Sequence, residues 1–275
     1  MSSNGNNKSN SSESILIELM TDNGVLRLTL NDSKRRNALS EEMMSSIATA
    51  LSKAEKNPAT KVIIISANGP AFCSGHDLKQ MSEGRKNDDG GLSYFSQVFS
   101  SCSALMQQIV NHPKPVIAEV SGVAAAAGCQ LVACCDLAIA SESARFVTPG
   151  VNIGLFCSTP MVALSRNVSN KAAMEMLLTG EMIDAQKAKR IGLINRVEER
   201  QALTQKTLKM ATLIASKSSM VLETGKKAFY GQKDMPLSEA YEYTSQVMVD
   251  NMLKQDAKEG IDAFIEKRQP KWQDK

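Results

Sequence analysis

The chain has 275 residues, 43% of them hydrophobic, with 32 Lys and Arg against 29 Asp and Glu for a net charge of +3, enough for one large core and a smaller appended region. That near balance argues for neither nucleic acid nor an anionic membrane as partner, while leaving room for a local basic site for phosphate. No apolar run is as long as a membrane span, since residues 116–135 are interrupted by Glu119, Ser121, Gly122 and Gln130.

Residues 1–14 are rich in Asn and Ser and read as a disordered tail. They lack a secretory apolar segment, and Lys8 is their only basic residue, unlike an Arg-rich transit peptide. Asn23-Gly24 between the apolar runs 15–20 and 25–30 predicts a hairpin. Ser40 is placed to cap a helix from 41 to about 56, where Met43, Met44, Ile47, Ala48 and Leu51 recur at helical spacing behind two acids. The β-branched run 61–66 predicts a strand buried on both faces, broken by Asn68-Gly69-Pro70. Residues 82–91, with Gly84, Gly90, Gly91 and several charges, read as a mobile loop. A helix over about 93–110 ends at Asn111-His112-Pro113, and a buried strand follows at 115–120.

That strand runs into the small-residue turn Ala124-Ala125-Ala126-Ala127-Gly128 and then an apolar helix. Such a turn lets a ligand approach the backbone and aims unpaired N-terminal N–H groups at it. Strands at 137–140 and 145–147 complete an alternation that predicts an α/β core over 15–200. Beyond Thr159 the pattern is helical apart from a short strand at 193–197. A soft boundary near 200 sets off a helical region, 201–275, suited to a lid or an oligomerisation element. No internal repeat is visible.

Cys73, Cys102, Cys129, Cys134, Cys135 and Cys157 are scattered without a CxxC, and His76 and His112 are not spaced as metal ligands. The expectation is reduced, buried thiols in an intracellular protein with no metal site. Cys134 and Cys135 are expected to alternate faces rather than bridge. No Walker or GxGxxG fingerprint is present.

Taken in order, a set of segments carries a family resemblance. These are Arg36-Asn37-Ala38-Leu39, Ala71-Phe72-Cys73-Ser74-Gly75-His76-Asp77-Leu78-Lys79, Lys114-Pro115-Val116-Ile117-Ala118 and Ser121-Gly122 through Gly128-Cys129-Gln130-Leu131. Cys135-Asp136-Leu137-Ala138-Ile139-Ala140, Arg145-Phe146-Val147-Thr148-Pro149-Gly150, Gly192-Leu193-Ile194 and Phe264-Ile265-Glu266-Lys267-Arg268 complete it. The chain resembles the crotonase superfamily, the enoyl-CoA hydratase/isomerase family, over about residues 15–272. The resemblance implies an α/β fold of the ClpP/crotonase type, a spiral of ββα units with a helical C-terminal region. It also implies a homotrimer or homohexamer, a place in fatty-acid metabolism, and a mitochondrial address, with the cytosol as the alternative.

The family's shared chemistry is stabilisation of a thioester enolate by two backbone N–H groups, each such donor worth roughly 10²–10³ in rate. Carried over by position, the donors are the N–H groups of His76 and Ala127. Glycine is usual at the second position; alanine keeps the N–H. The resemblance also places a water-handling carboxylate where this chain has Gln130, and a second where it has Gly150. An amide orients water but does not take its proton, and glycine brings no side chain. Ordinary hydration and isomerisation should therefore be severely reduced. His76 is the titrating side chain nearest the hole. Glu119 is expected on a solvent or interface face, and Asp77 and Asp136 are expected to cap turns. Cys157, Ser158 and Thr159 have no identifiable base partner for a nucleophilic mechanism.

For the CoA end, the resemblance selects Arg35, Arg36 and Ala38, then Lys79, and finally Phe264 with Lys267 reaching a neighbouring subunit. The bland alternative for these basic residues is solvated surface charge. A CoA thioester is the expected ligand, with no other cofactor. The resulting expectation is a weak or non-standard lyase of the enoyl-CoA hydratase type. A non-catalytic acyl-CoA binder or regulatory protein is the rival, and a serine peptidase of the same fold type lacks a Ser/His pair.

Overall fold

The computed structural model describes residues 14–275. The disorder expected at 1–14 lies outside them except for Ser14, whose hydroxyl donates to the Leu16 carbonyl. β1 (Leu16–Met20) and β2 (Val25–Leu30) form the expected antiparallel hairpin, with Leu16 opposite Leu30. α1 (Glu41–Lys56) starts where Ser40 accepts the Met43 N–H. Next come β3 (Val62–Ala67), β4 (Ala71–Cys73), α2 (Leu78–Gly84) and α3 (Leu92–Asn111). β5 (Val116–Val120), β6 (Val123–Ala125), α4 (Ala127–Cys134), β7 (Leu137–Ser141) and β8 (Arg145–Val147) follow. A 3₁₀ turn, Pro149–Ile153, leads to α5 (Ser158–Ser165), α6 (Asn170–Thr179), β9 (Ile183–Asp184), α7 (Ala185–Arg190) and β10 (Arg196–Glu198).

The strands fall into two sheets, ordered β1-β2-β3-β5-β7-β10 and β4-β6-β8-β9. In each of the pairs β3–β4, β5–β6 and β7–β8, the first strand joins the larger sheet and the second joins the smaller, before the chain turns into helix. That is a spiral of ββα units, and its parallel neighbours explain the continuous β-branched run of β3. Alternate residues of β3 face different cores. Ile63 and Ile65 point into the main one with Met43, Ile47, Leu105 and Ile109. Val62 and Ile64 pack with Val25, Ile117, Ala211 and Ala215.

Ala211 and Ala215 belong to α8 (Leu203–Ala215), the first helix beyond residue 200, so this helix closes the second face of the large sheet. α9 (Ser219–Gln232), α10 (Leu237–Met252) and α11 (Gln255–Ile265) complete the chain. α9 is fastened to the sheet by Asp136, which accepts from Lys226 Nζ at 2.8 Å, the Tyr230 hydroxyl at 3.0 Å and the Val116 N–H at 2.7 Å. Asp136 thus ties a helix to the core, a larger task than the expected turn cap.

Other expectations need correction. Residues 82–84 end α2 rather than belonging to a loop, because Asp77 caps that helix by accepting the Lys79 and Gln80 N–H groups. The turn after β5 contains a strand, β6, paired between β4 and β8. The last short strand lies at β10, later than 193–197 predicts, and β9 was unforeseen. Glu119 is only 5% exposed; it binds Arg27 and accepts from the Thr204 hydroxyl at 2.9 Å beneath α8. All six cysteines are buried and free. No described helix is long and apolar enough to cross a membrane.

Candidate active site

β4 and β6 are parallel neighbours, with Ala71 beside Val123 and Cys73 beside Ala124, and each leads into a helix. The chain after β4 therefore passes directly against the start of α4. A Cβ on Gly75 would lie 3.0 Å from Ala126 Cβ, 3.1 Å from Ala125 O and 3.5 Å from Ala127 N. Gly75 also has φ +91°, so glycine is required there on both counts. At Gly128 a Cβ would sit 2.2 Å from the Cys73 carbonyl, so α4 rests directly on the β4 backbone.

Ala126 turns the chain between β6 and α4 with φ 49° and ψ −116°, a conformation costing about 1–3 kcal/mol for a residue with a Cβ. The turn leaves Ala127 as the first residue of α4. Its N–H is one of the amides a helix N-terminus leaves unpaired, at the positive end of the helix dipole. Neither this N–H nor that of His76 has a backbone acceptor among the described residues. The structure thus brings the two amides selected from sequence into adjoining turns.

The His76 ring meets Phe99 edge-on at 5.4 Å and 88°. Burial pushes the imidazole below its usual range, opposed by the nearby Leu39 backbone, although neither ring nitrogen reaches a partner at hydrogen-bonding geometry among the described residues. Gln130 is 5% exposed, and its Oε1 is likewise unpartnered. Helical side chains lean toward the N-terminus, so this carboxamide projects back over the Ala126–Ala127 turn.

Gly150 is buried and donates its N–H to Cys157 Sγ at 3.3 Å. A Cβ there would lie 3.0 Å from both Cys157 Sγ and Leu155 O. The returning loop crowds the position, so a side chain there would require Cys157 or Leu155 to give way. Burial pushes the Cys73 and Cys129 thiols up to about 12 and raises Cys157 as well, so these groups stay protonated.

A second wall comes from residues 35–39. The Leu39 N–H donates to the Gly75 carbonyl at 2.8 Å, and the Ser74 N–H to the Arg36 carbonyl at 3.1 Å. Arg35 and Arg36 are exposed, Ala38 is buried, and Lys79 is exposed in the first turn of α2. Arg35 pairs with Asp32 at 2.5 Å and Asp77 at 3.5 Å, which holds the basic turn against the start of α2. These residues lie along one edge with His76.

Asn37 was not singled out by sequence reasoning as a residue with a task of its own. It is fully buried with φ 53°; its side chain accepts the Asp32 N–H and donates to the Asn68 and Ala71 carbonyls, all at 2.8 Å. It fixes the basic turn to the β3–β4 loop. The available signal was an Asn next to Arg in a turn, since Asn tolerates the left-handed conformation.

Phe264 and Lys267 are not brought to this edge by any hydrogen bond or ion pair among the described residues. Phe264 is 85% exposed on α11, and Lys267 has φ 56° just beyond it. α11 is instead tied to the C-terminal segment, where Asp256 accepts the Gln273 and Asp274 N–H groups.

Residues 20–275 match the family model described as enoyl-CoA hydratase/isomerase. Enoyl-CoA hydratase domain-containing protein 3, mitochondrial, of Homo sapiens is 50% identical, covering 90% of this chain and 80% of the relative. The Mus musculus protein of the same name is 48% identical, covering 95% and 85%. The crystal structure of the human protein superimposes with a TM-score of 0.90 at 47% identity, covering 94% of this chain and all of that one. An enoyl-CoA hydratase structure from Mycobacterium smegmatis gives the same TM-score at 44% identity, covering 94% and 99%. The ββα spiral is therefore the crotonase-like fold, and the chain belongs to the enoyl-CoA hydratase/isomerase family.

Proposed function

We propose that this protein binds an acyl-CoA thioester with its carbonyl oxygen between the N–H groups of His76 and Ala127, and stabilises the enolate form there. The observation that supports the reading is that Gly75, just before His76, packs on the Ala125–Ala127 turn, and that neither amide has a backbone acceptor among the described residues. Backbone donors are fixed by the fold and act where negative charge develops, so they require little rearrangement as the enolate forms. Arg35, Arg36 and Lys79 supply cations for the CoA phosphates along the adjoining edge, and Ala38 lines the turn beside them. Phe264 and Lys267 serve a neighbouring subunit in a trimer or hexamer. The CoA thioester is the ligand, and no separate cofactor takes part. A mitochondrial location follows by analogy with the relatives' names, and a role in fatty-acid metabolism by analogy with the family.

Ordinary water addition is lost in this proposal, because neither Gln130 nor Gly150 titrates. Turnover, as a lyase-type activity, runs through a different proton carrier. The second reading, a non-catalytic acyl-CoA binder, is favoured by the contact between Gly150 and Cys157, which crowds a side chain there. Calorimetric titration with CoA esters, alongside hydration, isomerisation, hydrolysis and decarboxylation assays, separates the two. Turnover abolished by Ala127→Trp is the expected result. Binding without turnover selects the binder, and turnover unchanged in Ala127→Trp contradicts the site.

A further inference from the structure

α1 and α3 lie side by side over the main core and send Met43, Ile47, Leu105 and Ile109 into it. Between their outer surfaces runs an open groove. Its floor includes Met44, Val98 and Leu105, and its rim is made of small residues, among them Ser45, Ala48, Ser101 and Ala104. The groove continues along α1 past Thr49, Ser52 and Lys56.

α3 is unusual for a helix with a free outer face. None of its 20 residues is Asp, Glu, Lys or Arg. Ser96, Gln97, Ser100, Ser101, Ala104 and Gln107 are nevertheless exposed. A helix face that meets water ordinarily carries charge, whereas the centre of a protein interface is depleted of it.

α1 carries charge only in a particular order. Glu41, Ser45, Ala48, Thr49, Ser52 and Lys56 recur at helical spacing and form one outward stripe about 100° wide. The acid stands in the first turn, the base in the last, and small residues lie between them. Neither Glu41 nor Lys56 forms an ion pair among the described residues.

The stripe reads the same when the helix is turned end for end. Glu41 and Lys56, Ser45 and Ser52, and Ala48 and Thr49 are each placed symmetrically about the middle of α1. Two copies of α1 laid antiparallel would set Glu41 against the partner's Lys56, and Ser45 against the partner's Ser52. The small residues at the centre let the two backbones come close. Such a match is the signature of a two-fold contact, in which one patch pairs with itself. A polyanion would meet the acidic end of the stripe, and a polycation the basic end. The inverted stripe supplies the opposite charge at both.

We propose that the α1–α3 face pairs two copies of this chain about a two-fold axis. α1 lies antiparallel to its counterpart at the centre, and the uncharged face of α3 closes the flanks. A closed assembly containing this contact holds an even number of copies.

Sedimentation equilibrium of the full chain tests the pairing. The particle mass should correspond to an even number of chains. Glu41→Lys and Lys56→Glu each place like charges across the axis, and each should halve that mass. The double variant Glu41→Lys/Lys56→Glu restores opposite charges with their order reversed, and should recover it. Thr49→Arg adds bulk at the exposed centre while leaving both helix ends alone, and should also halve the mass. Circular dichroism checks that every variant is folded. An odd number of copies in the unmodified protein overturns the proposal. A mass unchanged in Lys56→Glu and Thr49→Arg does the same, as does a loss in the single charge variants that the double variant fails to reverse.

Discussion

At the level of single residues, the site is defined by where a Cβ fits and where it does not. Gly128 has no room for one, because α4 rests on the β4 backbone, and Gly75 is crowded by the Ala125–Ala126 turn and held at a positive φ. Ala126 carries one in a conformation that disfavours it, to turn the chain into α4. Gly150 differs, because the atoms facing it are Cys157 Sγ and the Leu155 carbonyl of its own loop. Gly150→Glu should therefore fail to restore hydration and should destabilise the chain by about 1–3 kcal/mol through overpacking. A crotonyl-CoA hydration assay beside a thermal melt checks both, and a stable, active variant would show that the loop yields readily. Sequence showed Gln130 and Gly150 as residue types at the positions where the resemblance expects carboxylates. It did not expose the loop that crowds the second position, since that contact depends on how residues 154–157 return. Nor did it show His76 and Gln130 as unpartnered, because pairing is a property of the packed interior.

At the level of elements, legibility followed burial pattern and capping. β3 was readable because parallel neighbours on both sides and cores on both faces demand a β-branched run. α1 was readable because Ser40 and an apolar stripe mark it. β6 was not, because Val123, Ala124 and Ala125 show no alternation and owe their strand to the pairing with β4 and β8. α2 was partly hidden by the glycines and charges around residue 84, although the Asp77 cap was visible. The Asp136 latch also escaped, since its partners lie some ninety residues away on α9. Lys226 and Asp136 have side chains 8% and 16% exposed, so removing the cation strands a largely buried carboxylate. Lys226→Met should cost about 3–5 kcal/mol. The fluorescence of Trp272, the chain's single tryptophan, which donates to the Ser216 carbonyl, follows the loss in a urea titration. An unshifted midpoint would mean that α9 is held by other contacts.

At the level of the molecule, a buried histidine, His112, and a half-buried one, His76, set a common pH response. His112 accepts the Lys114 N–H at Nδ1 and faces the Leu51 carbonyl with Nε2, an arrangement that suits the neutral ring. Burial holds both His112 and His76 below their usual range, so the unfolded chain takes up protons first as pH falls. Stability from these groups is complete above about pH 6.5 and declines on acidification toward the folded-state values. Thermal melts from about pH 8 to about pH 5 should show a falling Tm, with a shallower fall in His112→Asn; a flat profile would contradict the assignment. The family and its spiral were legible because their motifs follow in order along the chain, whereas the proposed site depends on contacts between distant turns. The most direct measurement is the infrared carbonyl stretch of a ¹³C-labelled acyl-CoA thioester bound to the protein. Two amides aimed at the oxygen should lower that frequency relative to the ester in water. Ala127→Pro removes the N–H at the first helical position, while adding a buried ring and restricting Ala126, and should reduce the shift. A bound ester whose carbonyl frequency is unchanged or raised would contradict an enolate-stabilising site at His76 and Ala127.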